Sequence, residues 1–162
     1  VHEDQEHFEY LVLDAFQAGL SWRTVLNKRE NFRKAFSNFN PKVIARYDAR
    51  KIRKLLADAG IIRNRLKIRG TVQNAKAFLE IQKEFASFDK YIWQFVDYKT
   101  IQNKWRRIKE LPAKTKESDA MSLDLKKRGF TFVGSTICHA YMQAAGLVND
   151  HLVGWSEYRD CK

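Results

Sequence analysis

Apolar residues recur at helical spacing along almost the whole chain, and that pattern excludes most architectures. Glycine (7) and proline (2) are too scarce for a fold rich in turns, and strand-type alternation is almost absent. Phe8, Leu11, Val12, Ala15, Ala18 and Gly19 share one face of a first helix, broken at Leu20-Ser21. Ser21 is placed to cap the next helix, with Trp22, Val25, Leu26, Arg29, Phe32 and Phe36 on its inner face. Asn40-Pro41 reads as a cap with proline in the first turn. Asp48 caps a helix carrying Ile52, Leu55 and Leu56, which Gly60 ends. Leu66, Ile68, Val72, Ala75, Phe78, Leu79 and Gln82 keep the period of a long helix. Ser87 caps another, bearing Ile92, Phe95 and Val96. Residues 97–117 are polar, basic and irregular, a connector anchored by Trp105 and Ile108. Ser118 opens a helix that runs to Arg128, and Gly134-Ser135-Thr136 starts a last long one ending before Gly146. No repeat, low-complexity tract or linker divides the chain. The expected fold is all-α: one domain over 1–162, a compact bundle of roughly seven to nine helices.

The composition narrows the function classes. With 44% hydrophobic and 13% aromatic residues, the chain is too apolar for disorder. No apolar run approaches the roughly 18–20 residues that cross a bilayer, so no membrane partner is expected. The first ten residues are acidic and carry no signal pattern, which points to a cytoplasmic protein. Two cysteines, Cys138 and Cys161, make neither a disulfide framework nor a metal ribbon. Cys138 lies in an apolar helical run and reads as a core residue.

The net charge of +11 and pI near 9.7 attract polyanions, nucleic acid first among them. Charge alone fits a solvated basic surface equally. The sharper signal is Leu125-Lys126-Lys127-Arg128-Gly129-Phe130-Thr131-Phe132-Val133-Gly134-Ser135-Thr136-Ile137. A basic helix end meets Gly129, an apolar turn follows, and Gly134 leads into a new helix. Glycine at both ends lets a ligand approach the backbone, and the new helix offers free N–H groups to a phosphate. Lys126, Lys127 and Arg128 add charge, with Gly129, Gly134, Ser135 and Thr136 at the contact. Such a helix–hairpin–helix grips backbone and reads no sequence. The plainer reading is a C-cap and a tight turn between two core helices. Arg63, Arg65, Lys67 and Arg69 alternate and so spread round a helix, mostly into solvent, with some able to touch phosphate. The histidines His2, His7 and His139 carry no triad or metal spacing, and no Gly-rich nucleotide loop is present.

Taken together, three stretches resemble the 3-methyladenine DNA glycosylase I family: Gln17-Ala18-Gly19-Leu20-Ser21-Trp22 with Leu26 to Phe32, Asp58 to Arg65, and Lys126 to Gly134 continuing to Gly146-Leu147-Val148-Asn149-Asp150-His151. They stand in the family's order, and the resemblance spans nearly the whole chain, weakest over 97–117. It implies a helix–hairpin–helix glycosylase that excises 3-methyladenine from double-stranded alkylated DNA, acts as a monomer and needs no cofactor. An enzyme that works on a base takes it out of the stack. The resemblance places Asp14 at the base-recognising carboxylate, Trp22 at the stacking aromatic with Gln17 close by, and Gly19 and Leu20 in the turn that meets DNA at the lesion. From the residues alone, Asp14 reads as a solvated or capping carboxylate and Trp22 as core.

The sequence also departs from the family. Asp14 replaces a glutamate and is shorter by a methylene, a shift of about 1 Å that matters at a reacting centre. Ala140 stands where the family has a pocket serine. The chain starts at Val1-His2-Glu3-Asp4, and the family's N-terminal segment, with pocket aromatics and two zinc ligands, has no counterpart in it. His151 matches a third zinc ligand, but Trp155 stands at the expected cysteine, and a structural zinc wants four closed ligands. Zinc is therefore not expected. These departures motivate a second reading, a non-catalytic protein of the same fold that binds damaged DNA.

Overall fold

The computed structural model describes residues 1–17, 21–105, 107 and 110–150. Among the described residues, nine α-helices carry the fold, with two short 3-10 helices, a long connector before α8 and one two-residue strand pair between them. The all-α expectation holds.

Helix α1 (Asp4–Gln17) is the centre of the bundle. Its buried set includes His7, Phe8, Leu11, Val12, Leu13, Asp14, Ala15 and Phe16, so it is covered on nearly every side rather than along one stripe. It packs against α6, α7 and α9. Asp4 at its start accepts from the N–H groups of Phe88 (2.8 Å) and Asp89 (3.0 Å), tying α1 to the start of α7.

Ser21 caps α2 (Trp22–Asn27), its Oγ accepting from the Thr24 N–H at 3.2 Å. The single helix expected over 22–36 is two. Lys28 leaves the helical region (φ −101°, ψ 1°), and α3 (Arg29–Ala35) starts a new axis. The kink turns Leu26 to solvent, against its assignment to the inner face. Phe32 still reaches the core, 5.0 Å from the Phe16 ring.

Asn40 caps α4 (Pro41–Ile44) and Asp48 caps α5 (Ala49–Leu56) as their side-chain chemistry predicts. Gly60 does not end α5. The helix stops at Leu56, and Gly60 lies in the following turn, donating to Asp58 Oδ1 at 2.8 Å. Asn64 caps the long α6 (Arg65–Phe85). Leu66 is exposed, so the buried face of α6 begins at Ile68. Ser87 caps α7 (Phe88–Trp93), whose Phe88 stacks on Phe78 of α6 at 4.2 Å.

The connector is more ordered than its composition suggests. β1 (Ile101–Gln102) pairs in parallel with β2 (Val148–Asn149). Trp105 anchors it as expected, donating from Nε1 to Asp150 Oδ1 at 2.8 Å; Ile108 lies outside the described residues. Helix α8 (Lys116–Lys127) starts before Ser118. Thr115 is the cap and Ser118 the reciprocal partner of a capping box, so Ser118 sits inside the first turn. Gly134 precedes α9 (Ser135–Ala144), and Gly146, at φ +81°, ends it. No described helix is long and apolar enough to cross a membrane.

Candidate functional site

Asp14 sits in the last turns of α1, where that helix packs on α9, and is 2% exposed. Its Oδ2 is buried with no hydrogen-bond partner among the described residues. Loss of hydration therefore pushes its pKa up to about 7. A buried carboxylate oxygen without a partner is costly, which marks Asp14 as a candidate functional group rather than a packing residue. The solvated or capping role that the residue type alone suggests does not apply.

Gln17 ends α1, half-buried, and Trp22 begins α2. The two helix ends therefore flank residues 18–20. Gly19, Leu20 and the Trp22 side chain lie outside the described residues. From α6, Lys67 reaches the same end of α1, its Nζ donating to the Phe16 carbonyl at 3.4 Å.

The second part of the site is the turn between α8 and α9. Gly129 takes φ +94°, and Phe130 N–H returns to the Leu125 carbonyl at 3.1 Å, which closes the C-terminus of α8. Phe130 and Val133 are buried, and Phe132 holds a left-handed φ of +58°. Helix α6 carries this turn. Asn74 Nδ2 donates to the Thr131 carbonyl (2.9 Å), and its Oδ1 accepts from the Thr131 N–H (2.8 Å). Gln73 Nε2 donates to the Gly129 carbonyl (2.8 Å), and Ser122 Oγ donates to the Val133 carbonyl (2.6 Å). The turn is thus fixed by side chains that the sequence pattern alone does not flag.

Gly134 has an ordinary φ of −60°, and a Cβ built there meets nothing within 4 Å. The fold does not require glycine here; its absence of a side chain leaves open space before α9. Lys126, Lys127 and Thr136 are exposed beside it. Arg128 is engaged internally, donating to Asp124 Oδ2 (2.8 Å) and Glu84 Oε2 (2.7 Å) and covering the Phe85 and Tyr91 rings. Ser135 Oγ donates to Asp119 Oδ1 at 2.5 Å.

Two histidines matter more than their spacing implies. His7 is fully buried; its Nε2 donates to Asp89 Oδ1 (2.8 Å) and its Nδ1 accepts from the Tyr141 hydroxyl (2.5 Å). Burial lowers its pKa, against the opposing pull of Asp89. His139 Nε2 donates to Asp150 Oδ2 at 2.8 Å. Cys138 is buried as expected, its thiol pushed up to about 12 by desolvation. For zinc, the donor set is the test. Among the described residues no three His, Cys, Asp or Glu side chains converge on one point, and His151, Trp155 and Cys161 lie outside them.

The site combines a desolvated carboxylate with an exposed basic hairpin, an arrangement suited to a cationic ligand attached to a polyanion. Comparison with known proteins agrees. The sequence pattern of the family described as methyladenine glycosylase matches residues 1–158. DNA-3-methyladenine glycosylase 1 of Escherichia coli is 45% identical over 152 residues, covering 94% of this chain and 81% of that protein. The DNA-3-methyladenine glycosylase of Haemophilus influenzae is 47% identical over 150 residues, covering 93% and 81%. A crystal structure of 3-methyladenine DNA glycosylase I matches with a TM-score of 0.93 at 44% identity, over 96% of this chain and 86% of that one. The Staphylococcus aureus 3-methyladenine DNA glycosylase I, solved for its recognition of 3-methyladenine, matches at 0.95 with 30% identity, over 98% and 84%. The chain belongs to the methyladenine glycosylase family.

Proposed function

We propose that this protein is a DNA repair enzyme that excises 3-methyladenine from alkylated double-stranded DNA by hydrolysing the N-glycosidic bond. The observation that carries the reading is the buried carboxylate of Asp14, whose Oδ2 has no partner among the described residues. It is placed in a chain whose relatives are named for this reaction.

The basic surface collects DNA, and the N–H groups at the start of α9 hold a backbone phosphate in the open space before Gly134. The damaged nucleotide leaves the stack, Gly19 and Leu20 fill its gap, and Gln17 stands beside it. Trp22 stacks on the base while the ionised Asp14 accepts from its edge. The alkylated base is cationic, so its bond to C1′ is already weakened. Water adds through oxygen to C1′, the C1′–N9 bond breaks with its electron pair passing to N9, and the water's proton leaves to solvent. The base departs neutral, so no cofactor is needed. The protein works in the cytoplasm as a monomer.

Release of free 3-methyladenine from methylated duplex tests the reading, with Asp14→Asn beside the parent. Release by the parent and loss in the variant supports it. Release by both removes Asp14 from the centre of the reaction. Intact DNA binding without release identifies a binding protein instead.

A further inference from the structure

One short stretch of α6 touches both halves of the site. At Lys67 it reaches the end of α1, and at Gly70, Gln73 and Asn74 it carries the hairpin. Resting on the glycosylase reading above, we propose that Lys67–Asn74 is a joint between the two halves of the site, in which Lys67 positions the end of α1 that carries Asp14 for excision and Asn74 positions the phosphate-gripping hairpin for DNA binding.

The chemistry at each end is specific. The last turn of α1 contains no basic residue, although the exposed carbonyls of a helix C-terminus carry partial negative charge. Lys67 supplies the missing cation from a neighbouring helix, at the Phe16 carbonyl, two positions beyond Asp14. Partial burial of that ammonium lowers its pKa. Asn74 matches both backbone polar groups of Thr131 at once, so it fixes the hairpin in orientation as well as in place. Between these ends the helix is held internally, with Thr71 Oγ1 donating to the Lys67 carbonyl at 2.8 Å. The stretch spans about 10 Å of helix axis. The end of α1 that Lys67 touches carries Asp14, and an error of about 1 Å at a reacting centre can cost a hundredfold in rate.

The two ends predict opposite kinetic signatures. Single-turnover release of 3-methyladenine from methylated duplex is measured with the parent, Lys67→Met, Lys67→Arg, Asn74→Ala and the milder Gln73→Ala. Affinity for undamaged duplex and thermal midpoint are recorded for each. Lys67→Met should lower the saturating rate about tenfold or more and leave undamaged-DNA affinity within about twofold, with Lys67→Arg restoring most of the rate. Asn74→Ala should weaken binding to damaged and undamaged DNA by about tenfold, with the saturating rate nearly kept, and Gln73→Ala should do the same more mildly. Weaker undamaged-DNA binding by Lys67→Met at an unchanged rate would make Lys67 a phosphate contact and overturn its positioning role. Loss of rate and affinity together, in proportion to the thermal midpoint, would reduce the joint to scaffolding. If the parent itself releases no base, the glycosylase reading fails and the joint with it.

Discussion

Gly70 of α6 lies directly against Phe132 of the hairpin: a Cβ built on Gly70 would stand 2.8 Å from the Phe132 ring and 2.9 Å from Thr131 Cγ2. Glycine inside a helix normally costs about 1 kcal/mol relative to alanine, so Gly70→Ala should stabilise on propensity alone. Here the clash reverses the sign. Phe132 already holds φ +58°, and Asn74 fixes its neighbour, so the turn has little room to retreat. Gly70→Ala is expected to destabilise by roughly 1–3 kcal/mol and to weaken DNA binding. Denaturant unfolding checks the first, and a stabilised variant would show that the hairpin is not seated on Gly70.

The buried carboxylate of Asp14 carries a stability cost. Its pKa rises from 3.8 to about 7 on folding, so the folded chain binds the proton more tightly than the unfolded one. Stability therefore falls as pH rises from about 4 to 7, then levels. At about 1.4 kcal/mol per unit, the ionised group opposes folding by a few kcal/mol. Asp14→Asn should raise the thermal midpoint while abolishing base release, and its gain should be at least about twice as large at pH 8 as at pH 5. A gain independent of pH would mean that Asp14 is not the titrating group.

The same carboxylate shapes the activity profile. In the proposed reaction the free enzyme loses the Asp14 proton to receive a cationic base, so kcat/KM should climb through about pH 7. A bound cation favours the carboxylate, so kcat should stay level to a lower pH. Coincident profiles for the two constants would argue against direct contact between Asp14 and the cationic base.

What the sequence made legible is mostly local chemistry. Ser21, Asn40, Asp48 and Ser87 cap helices because each side chain reaches an N–H a turn away, which needs no tertiary knowledge. The glycines around the hairpin are readable for the same reason. The break at Lys28 was hidden, because the apolar spacing continues across it. β1 and β2 are too short to carry a period, and they pair across residues distant in sequence. His7 and His139 look idle in sequence, since Asp89, Tyr141 and Asp150 reach them only through packing. Resemblance places Asp14 in the site; its burial, and the lack of a partner for its Oδ2 among the described residues, belong to the fold. Asn74 and Lys67 are ordinary helix residues until the hairpin and the end of α1 arrive beside them.

Gly134 separates folding from binding. Its φ of −60° suits any residue and no atom lies within 4 Å of a built Cβ, so Gly134→Glu should fold with an almost unchanged thermal midpoint. The new carboxylate would stand where the proposed clamp holds a phosphate, opposing it directly. Binding to damaged and undamaged duplex should weaken alike, by about tenfold or more at low salt. Loss confined to damaged DNA would show that the hairpin is not the backbone clamp.

Asp150 is the anchor of the connector. Its Oδ1 accepts from Asn103 Nδ2 (2.5 Å) and Trp105 Nε1 (2.8 Å), and its Oδ2 from His139 Nε2 (2.8 Å) and Gln143 Nε2 (3.1 Å). Although burial alone would raise its pKa, the hydrogen bonds from His139, Trp105 and Asn103 bring it down to about 2. A depressed carboxylate stabilises the fold above its unfolded pKa and loses that contribution as pH falls through the folded value, here between about 4 and 2. Asp150→Asn turns an acceptor into a donor facing other donors, leaving buried groups unmatched at a cost of roughly 2–4 kcal/mol. The connector should loosen first. Trypsin should cut after the exposed Lys99 and Lys104 much faster in the variant than in the parent at equal temperature. Equal cleavage rates would mean that β1 and β2, rather than the Asp150 network, hold the connector in place.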